Sequence, residues 1–115
     1  MEQSVKLLKA GFESSSSLTP EFASFYKTFK KEFTKELKSI DATEIKFTRG
    51  HFDLSGFFKT PDGQLWYFSL SGVRGMDYGM NKLLYRTAKN TKDWTGGSNM
   101  YVKIEPGMAQ NMELN

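Results

Sequence analysis

Across residues 50–74 the chain reads GHFDLSGFFKTPDGQLWYFSLSGVR, with apolar and polar side chains alternating on both sides of Pro61-Asp62-Gly63. Alternation with a period of two, broken by a Pro-Asp-Gly turn, predicts a β-hairpin. Two registers compete. A two-residue Asp62-Gly63 loop would set Phe58 against Tyr67 and Leu54 against Ser71, mixing apolar and polar side chains on both faces. A three-residue loop pairs Phe58 with Trp66, Leu54 with Leu70, Phe52 with Gly72 and Gly56 with Phe68. That register gathers Phe52, Leu54, Phe58, Trp66, Phe68 and Leu70 on one face, and a one-residue slip would turn the whole set to water. It also suits a type I turn followed by Gly63 in the left-handed region. The other face then carries His51, Asp53, Ser55, Phe57 and Lys59 against Tyr67, Ser69, Ser71 and Val73. It is polar apart from the Phe57–Tyr67 pair, and it is where a surface function of the hairpin is expected.

Upstream the period changes. Phe22, Phe25, Phe29, Phe33, Leu37 and Ile40 recur at steps of three and four, with Tyr26 on the flank. This predicts a long amphipathic helix. Thr19 serves as its N-cap, Pro20 falls in the first turn and Glu21 lies near the positive end of the dipole. Burying each apolar side chain of the stripe is worth roughly 1.5–3 kcal/mol, so the helix is expected on the apolar hairpin face. Its opposite side gathers Lys27, Lys31, Lys35 and Lys38, with Glu32 and Glu36 nearer the flank. Such a band reads either as a phosphate-tracking surface or as an ordinary solvated face.

The rest of the chain completes a sheet. Residues 1–18 read as a short helix, with Val5, Leu8 and Phe12 at helical spacing, or as a loose arm, ahead of one domain at 19–115. Asp41-Ala42 turns the chain into a strand over 43–49 with Ile45 and Phe47 inward. Inward positions are odd there and even from Phe52 onward; a tight turn at Arg49-Gly50, or one long strand bulged at Gly50, accounts for the switch. The bulge is favoured, because Arg-Gly is not a preferred hairpin dipeptide. KLLYRTAK at 82–89 is a strand with Leu83 and Tyr85 on one side, Leu84 and Arg86 on the other, and the pattern leaves open which side faces inward. Residues 71–81 and 90–99 are loops, 100–104 a last short strand, and the tail after Pro106-Gly107 one helical turn. The expected fold is α+β: one antiparallel sheet of about four to five strands with a long amphipathic helix on one face. The last strand offers an edge that a second copy can pair with, so the chain is expected to be a monomer or a homodimer.

Composition narrows the function classes. The 115 residues contain no Cys, which removes disulfides, zinc–thiolate sites and thiol nucleophiles. The N-terminal stretch lacks an apolar signal core, and no apolar run reaches the roughly 18 residues of a membrane span, so a cytoplasmic protein without a membrane partner is expected. Sixteen basic against 13 acidic residues permit contact with nucleic acid and argue against mimicry of DNA. His51, Asp53 and Ser55 are the residue types of a hydrolytic triad, yet alternate positions on a flat strand do not converge on one reacting atom. One His and one Asp without Cys fall short of a metal set. No cofactor and no catalytic residue is therefore expected, with a small nuclease using His51 as base the trailing alternative. Arg74, Arg86, Lys89, Lys92, Trp94 and Asn99 combine cations, an aromatic and a Gly-rich backbone. The mixture suits stacking of an unpaired base with phosphate neutralisation, a protein–protein hot spot, or a core lid with solvated cations. With His51, Phe57 and Tyr67, these residues make up the expected binding surface.

The segments RGHFDLSGFF, GQLWYFSLSGVR and LLYRTAKNTKDWTGGSNMYVKI resemble a family of small proteins carried by phages, plasmids and conjugative elements of Firmicutes and gut bacteria. The resemblance covers roughly residues 20–108, and RTAK…KDWTGGSN is its most distinctive part. It implies a mobile-element protein of the kind that inhibits host defence, anti-CRISPR proteins among them, with a CRISPR effector nuclease or its guide RNA as partner. The alternative is a single-stranded nucleic-acid-binding protein of the same element.

Overall fold

The computed structural model describes residues 1–9, 20–48, 54–70, 82–92 and 96–114, with side chains described except at 7–9 and 20–22. Two helices, α1 (Glu2–Lys9) and α2 (Pro20–Ser39), precede five strands, β1 (Thr43–Thr48), β2 (Leu54–Lys59), β3 (Leu65–Leu70), β4 (Lys82–Ala88) and β5 (Met100–Lys103). One helical turn, α3 (Met108–Asn111), follows. The strands form a single antiparallel sheet in chain order, β1-β2-β3-β4-β5. The chain is thus the expected α+β fold.

Phe25, Phe29, Phe33 and Leu37 leave α2 on one stripe and are fully buried. Their rings stack along the helix, at 5.5 Å for Phe25–Phe29 and 5.1 Å for Phe29–Phe33. Phe33 meets the sheet edge-on through Phe68, at 5.2 Å between centroids. The helix stops where Asp41 takes a left-handed φ of 64°, so that Ala42 N–H reaches Leu37 O and Asp41 N–H reaches Lys38 O. That is a Schellman ending with a non-glycine residue at the left-handed position.

The hairpin register is the one the pleat demanded: Leu54 pairs with Leu70, Gly56 with Phe68 and Phe58 with Trp66. Thr60 N–H bonds to Gln64 O and Gly63 N–H to Thr60 O, closing a three-residue loop with Gly63 at φ 87°. Asp62 accepts from the Thr60 hydroxyl and the Gln64 N–H, which hold its carboxylate below the usual range. The Trp66 indole donates to Thr60 Oγ1 at 3.1 Å, so the buried ring also satisfies its polar edge. The expected Phe52–Gly72 pair lies outside the described residues.

One expectation is overturned. β1 and β2 run antiparallel, so the chain reverses between Thr48 and Leu54 and does not continue as one strand bulged at Gly50. The parity switch arises because Phe47 lies opposite Gly56, pairing an odd with an even position. The bulge sits earlier, between Thr43 and Lys46, where Glu44 has a φ of 50°. Phe47 then packs over Gly56 against Phe68, at 5.1 Å.

Both ends of the described chain are tied to this core. α1 lies against α2, with the Ser4 N–H and hydroxyl donating to the Glu32 carboxylate at 2.9 and 2.6 Å. The Glu36 carboxylate accepts from Gly107 and Ala109 N–H, both at 3.0 Å, and so caps α3. Glu113 N–H donates to the Tyr85 hydroxyl at 2.7 Å. Leu83 and Tyr85 face this side of the sheet and are buried, which settles the facing that the sequence pattern leaves open. Among the described residues no helix is long and apolar enough to cross a membrane.

Candidate functional site

The sheet face turned away from α2 is built in three cross-strand rows. Register places Lys46, Phe57, Tyr67 and Arg86 side by side on β1 to β4. Beside them run Thr48, Ser55, Ser69 and Leu84, and toward the hairpin turn Lys59, Leu65 and Ala88. The first row is a cation, two aromatics and a cation.

The middle of this face is closed to water. Phe57 is 6% exposed, Tyr67 3% and Arg86 6%, and Ser55 and Ser69 are buried beside them. Phe57, Tyr67 and Ala88 form a second small core, with Leu65 and Leu84 against it. The polar hairpin side expected to be open around Ser55 and Phe57 is therefore shut. Arg86 is equally not a solvated cation: its guanidinium lies 4.5 Å from the centroid of the Tyr67 ring and donates to Thr87 O at 3.3 Å. A planar, weakly hydrated guanidinium tolerates such a position where an ammonium would not. Burial pushes the Tyr67 phenol up, against the opposing pull of the Ser69 hydroxyl, the Arg86 charge and the Ser55 hydroxyl. The Ser55 hydroxyl pairs with Thr48 Oγ1 at 2.9 Å, whereas Tyr67 Oη and Ser69 Oγ have no hydrogen-bond partner among the described residues.

The stretch RTAK…TGGSN is explained in part by how the β4–β5 connection closes. Thr87 O accepts from Gly97 N–H at 3.0 Å as well as from Arg86. A Cβ on Gly96 would stand 2.1 Å from both Arg86 Nη1 and Thr87 O, and one on Gly97 would stand 2.3 Å from Thr87 Oγ1. Only glycine lets the loop come back onto the strand at this distance. Asn90 Oδ1 accepts from Lys92 N–H and turns the chain out of β4. Lys89, Lys92 and Asn99 are left exposed. Arg74, Trp94 and His51 lie outside the described residues.

Where the loop leaves β4, a cleft of about 770 Å³ opens toward the hairpin turn and β1. Phe57, Leu65 and Ala88 line its apolar part, while Lys46, Lys59 and Lys89 line it with cations. Glu44 pairs with Lys59 at 3.0 Å, so three lysines face one carboxylate. The Gln64 side chain is held at its edge by donating to Leu65 O and Ala88 O. Lys46 and Gln64 did not stand out in the sequence as site residues, and Lys59 entered only as part of the polar hairpin face; the cross-strand register brings them to Phe57 and Lys89. Among the described residues no cluster of three or more His, Cys, Asp or Glu could hold a metal ion. Comparison with protein-family models, with curated proteins and with solved structures finds no match to this chain.

Proposed function

We propose that the chain is a non-catalytic binding protein that takes an anionic partner at the cleft between β1, the hairpin turn and the start of the β4–β5 loop. The observation that carries this reading is the lining of the cleft: Lys46, Lys59 and Lys89 around half-buried Leu65, over a floor of buried Phe57 and Ala88. Apolar surface supplies non-directional affinity, and the ammonium groups select for negative charge and speed encounter. The resemblance to mobile-element proteins gives the partner class: a bacterial defence nuclease, a CRISPR effector foremost, blocked sterically at its guide RNA or at an acidic patch. The test is affinity purification of the tagged chain from a CRISPR-active host, identifying the protein and RNA that come with it. A specific nuclease or its guide is expected, and Lys46→Glu with Lys89→Glu is expected to lose it while melting normally. Equal recovery by the charge-reversed chain sinks the assignment of the cleft. Failure to rescue phage or plasmid delivery across several effector types sinks the inhibitor reading.

The cationic rim of the cleft is also what a second reading rests on, a single-stranded nucleic-acid binder of the element; buried Phe57 adds no stacking platform to it. It requires free chain to shift a labelled single-stranded oligonucleotide, more weakly as salt rises.

A further inference from the structure

The outer side of α2 carries a charge pattern that the fold leaves unbalanced. Lys27, Lys31, Lys35 and Lys38 are all exposed. At about 100° per residue they fall within an arc of about 80°, opposite the buried stripe of Phe25, Phe29, Phe33 and Leu37. At about 1.5 Å per residue they span about 16 Å of helix axis. On an ordinary solvated helix, carboxylates three or four positions away would offset such lysines. Here Glu32 and Glu36, which stand among them in sequence, are turned to internal work: Glu32 receives Ser4, and Glu36 caps α3. None of the four ammonium groups forms an ion pair with a carboxylate among the described residues.

We propose that this row binds the phosphate backbone of duplex nucleic acid without reading its sequence. A duplex of DNA presents about one negative charge per 1.7 Å of axis, a density that a row of point-charge donors matches at several positions together. Two features select this partner over others. The described aromatics of α2 are turned inward, with Phe25, Phe29 and Phe33 buried and Tyr26 half-buried, so unpaired bases find no platform on this side. Among the described residues of α2 no large apolar side chain is exposed, which removes the anchor by which an interfacial helix enters a membrane. The row lies across the sheet from the cleft, and the inference does not depend on what the cleft binds.

The experiment measures binding of the full chain to short labelled duplexes of RNA and of DNA by fluorescence anisotropy across a salt series. The wild-type chain binds both, and the logarithm of its affinity falls linearly with the logarithm of salt. Lys→Gln at positions 27, 31, 35 and 38 together lowers that slope by about 3–4, since each lost phosphate contact removes about 0.9 on B-DNA. Gln keeps the helix propensity of Lys, so circular dichroism and melting stay unchanged. The four-fold Lys→Arg chain, which keeps the charge, binds as the wild type does. A Lys46→Gln, Lys89→Gln chain keeps the duplex slope, which separates this surface from the cleft. Absence of duplex binding at low salt overturns the proposal, as does a four-fold Gln chain with the wild-type slope. So does capture by phosphatidylserine vesicles, dependent on the four lysines, without duplex binding; the row would then be a lipid-headgroup surface.

Discussion

Replacing Gly56 by Ala puts the sheet register to a test in which two physical arguments predict opposite signs. Gly in a strand interior is entropically unfavourable, and Ala there ordinarily gains roughly 0.5–1 kcal/mol. In this fold a Cβ at position 56 would stand 2.2 Å from Lys46 O and 2.5 Å from Cζ of Phe68. The carbonyl is fixed by the β1–β2 ladder, and the Phe68 ring is held by Phe33, Phe47 and Phe58. Overpacking of this kind costs about 1–3 kcal/mol, which exceeds the entropic gain. Gly56→Ala is therefore expected to destabilise by about 1–2 kcal/mol. In urea, with an m-value of about 2 kcal/mol/M, mid-range for a small domain, the midpoint drops by about 0.5–1 M at unchanged slope. Tryptophan fluorescence and far-UV circular dichroism should report one coincident transition. Adding Phe68→Leu to the Gly56→Ala chain should recover part of the loss, because it removes the ring contact and leaves the carbonyl contact; a double-mutant cycle isolates that share. A Gly56→Ala chain as stable as the wild type, or more so, refutes the packing of Phe47 and Phe68 over this position.

Glu36→Ala removes the acceptor for Gly107 and Ala109 N–H, and since hydrogen bonds to charged groups are worth about 1.5–3 kcal/mol each, it should destabilise α3 first. Hydrogen exchange at residues 107–112 checks this, and unchanged protection there refutes it. For Glu32, burial raises the carboxyl pKa, but the Ser4 hydroxyl, the Ser4 N–H and the terminal ammonium outweigh it and leave the pKa lowered from 4.5. A depressed folded pKa contributes stability above the unfolded value and loses it as pH falls through the folded one. Urea midpoints should therefore drop on acidification below the ordinary glutamate range, and Glu32→Gln should flatten that part of the profile. Arg86→Ala should cost about 1–2 kcal/mol by uncovering the Tyr67 ring, whereas Lys92→Ala should change stability by less than about 0.5 kcal/mol. Equal melting of the two variants would contradict the buried placement of Arg86.

The parts of the fold that could be read from the sequence are those where one wrong step would expose many side chains at once. A slip of the hairpin would have turned Leu54, Phe58, Trp66, Phe68 and Leu70 to water together, so the register followed from pattern alone. The α2 stripe was legible for the same reason. The reversal between β1 and β2 was not, because parity does not encode direction. A bulged continuous strand and an antiparallel pair of Phe47 with Gly56 both place odd positions of one segment beside even positions of the other. What decides between them is the space above Gly56, which is a tertiary fact: Phe47 fills it.

The candidate site failed to show in the sequence for a different reason. Arg86, Thr87, Gly96 and Gly97 have the composition of a flexible basic recognition surface, and by residue type Arg86 groups with its cations although it falls within a strand. The same residues have the composition of a clip, and geometry assigns them there: two donors converge on Thr87 O, and two glycines lie too close to the strand for any side chain. A guanidinium stacked on a buried tyrosine is indistinguishable, by residue type, from one waiting for a base. Of the residues expected to bind here, Lys89, Lys92 and Asn99 are exposed, and of these only Lys89 reaches the cleft. Its fellow cations come from β1 and β2, some 30 to 43 positions earlier, with Lys46 brought beside Phe57 by the ladder and Lys59 beside Leu65. A distinctive motif here holds a loop in place, and the cations of the neighbouring cleft come largely from lysines outside it. On the proposed reading of the cleft, substitutions at Gly96 or Arg86 are expected to remove binding only by releasing the loop. Substitutions at Lys46 are expected to remove it while the fold stands.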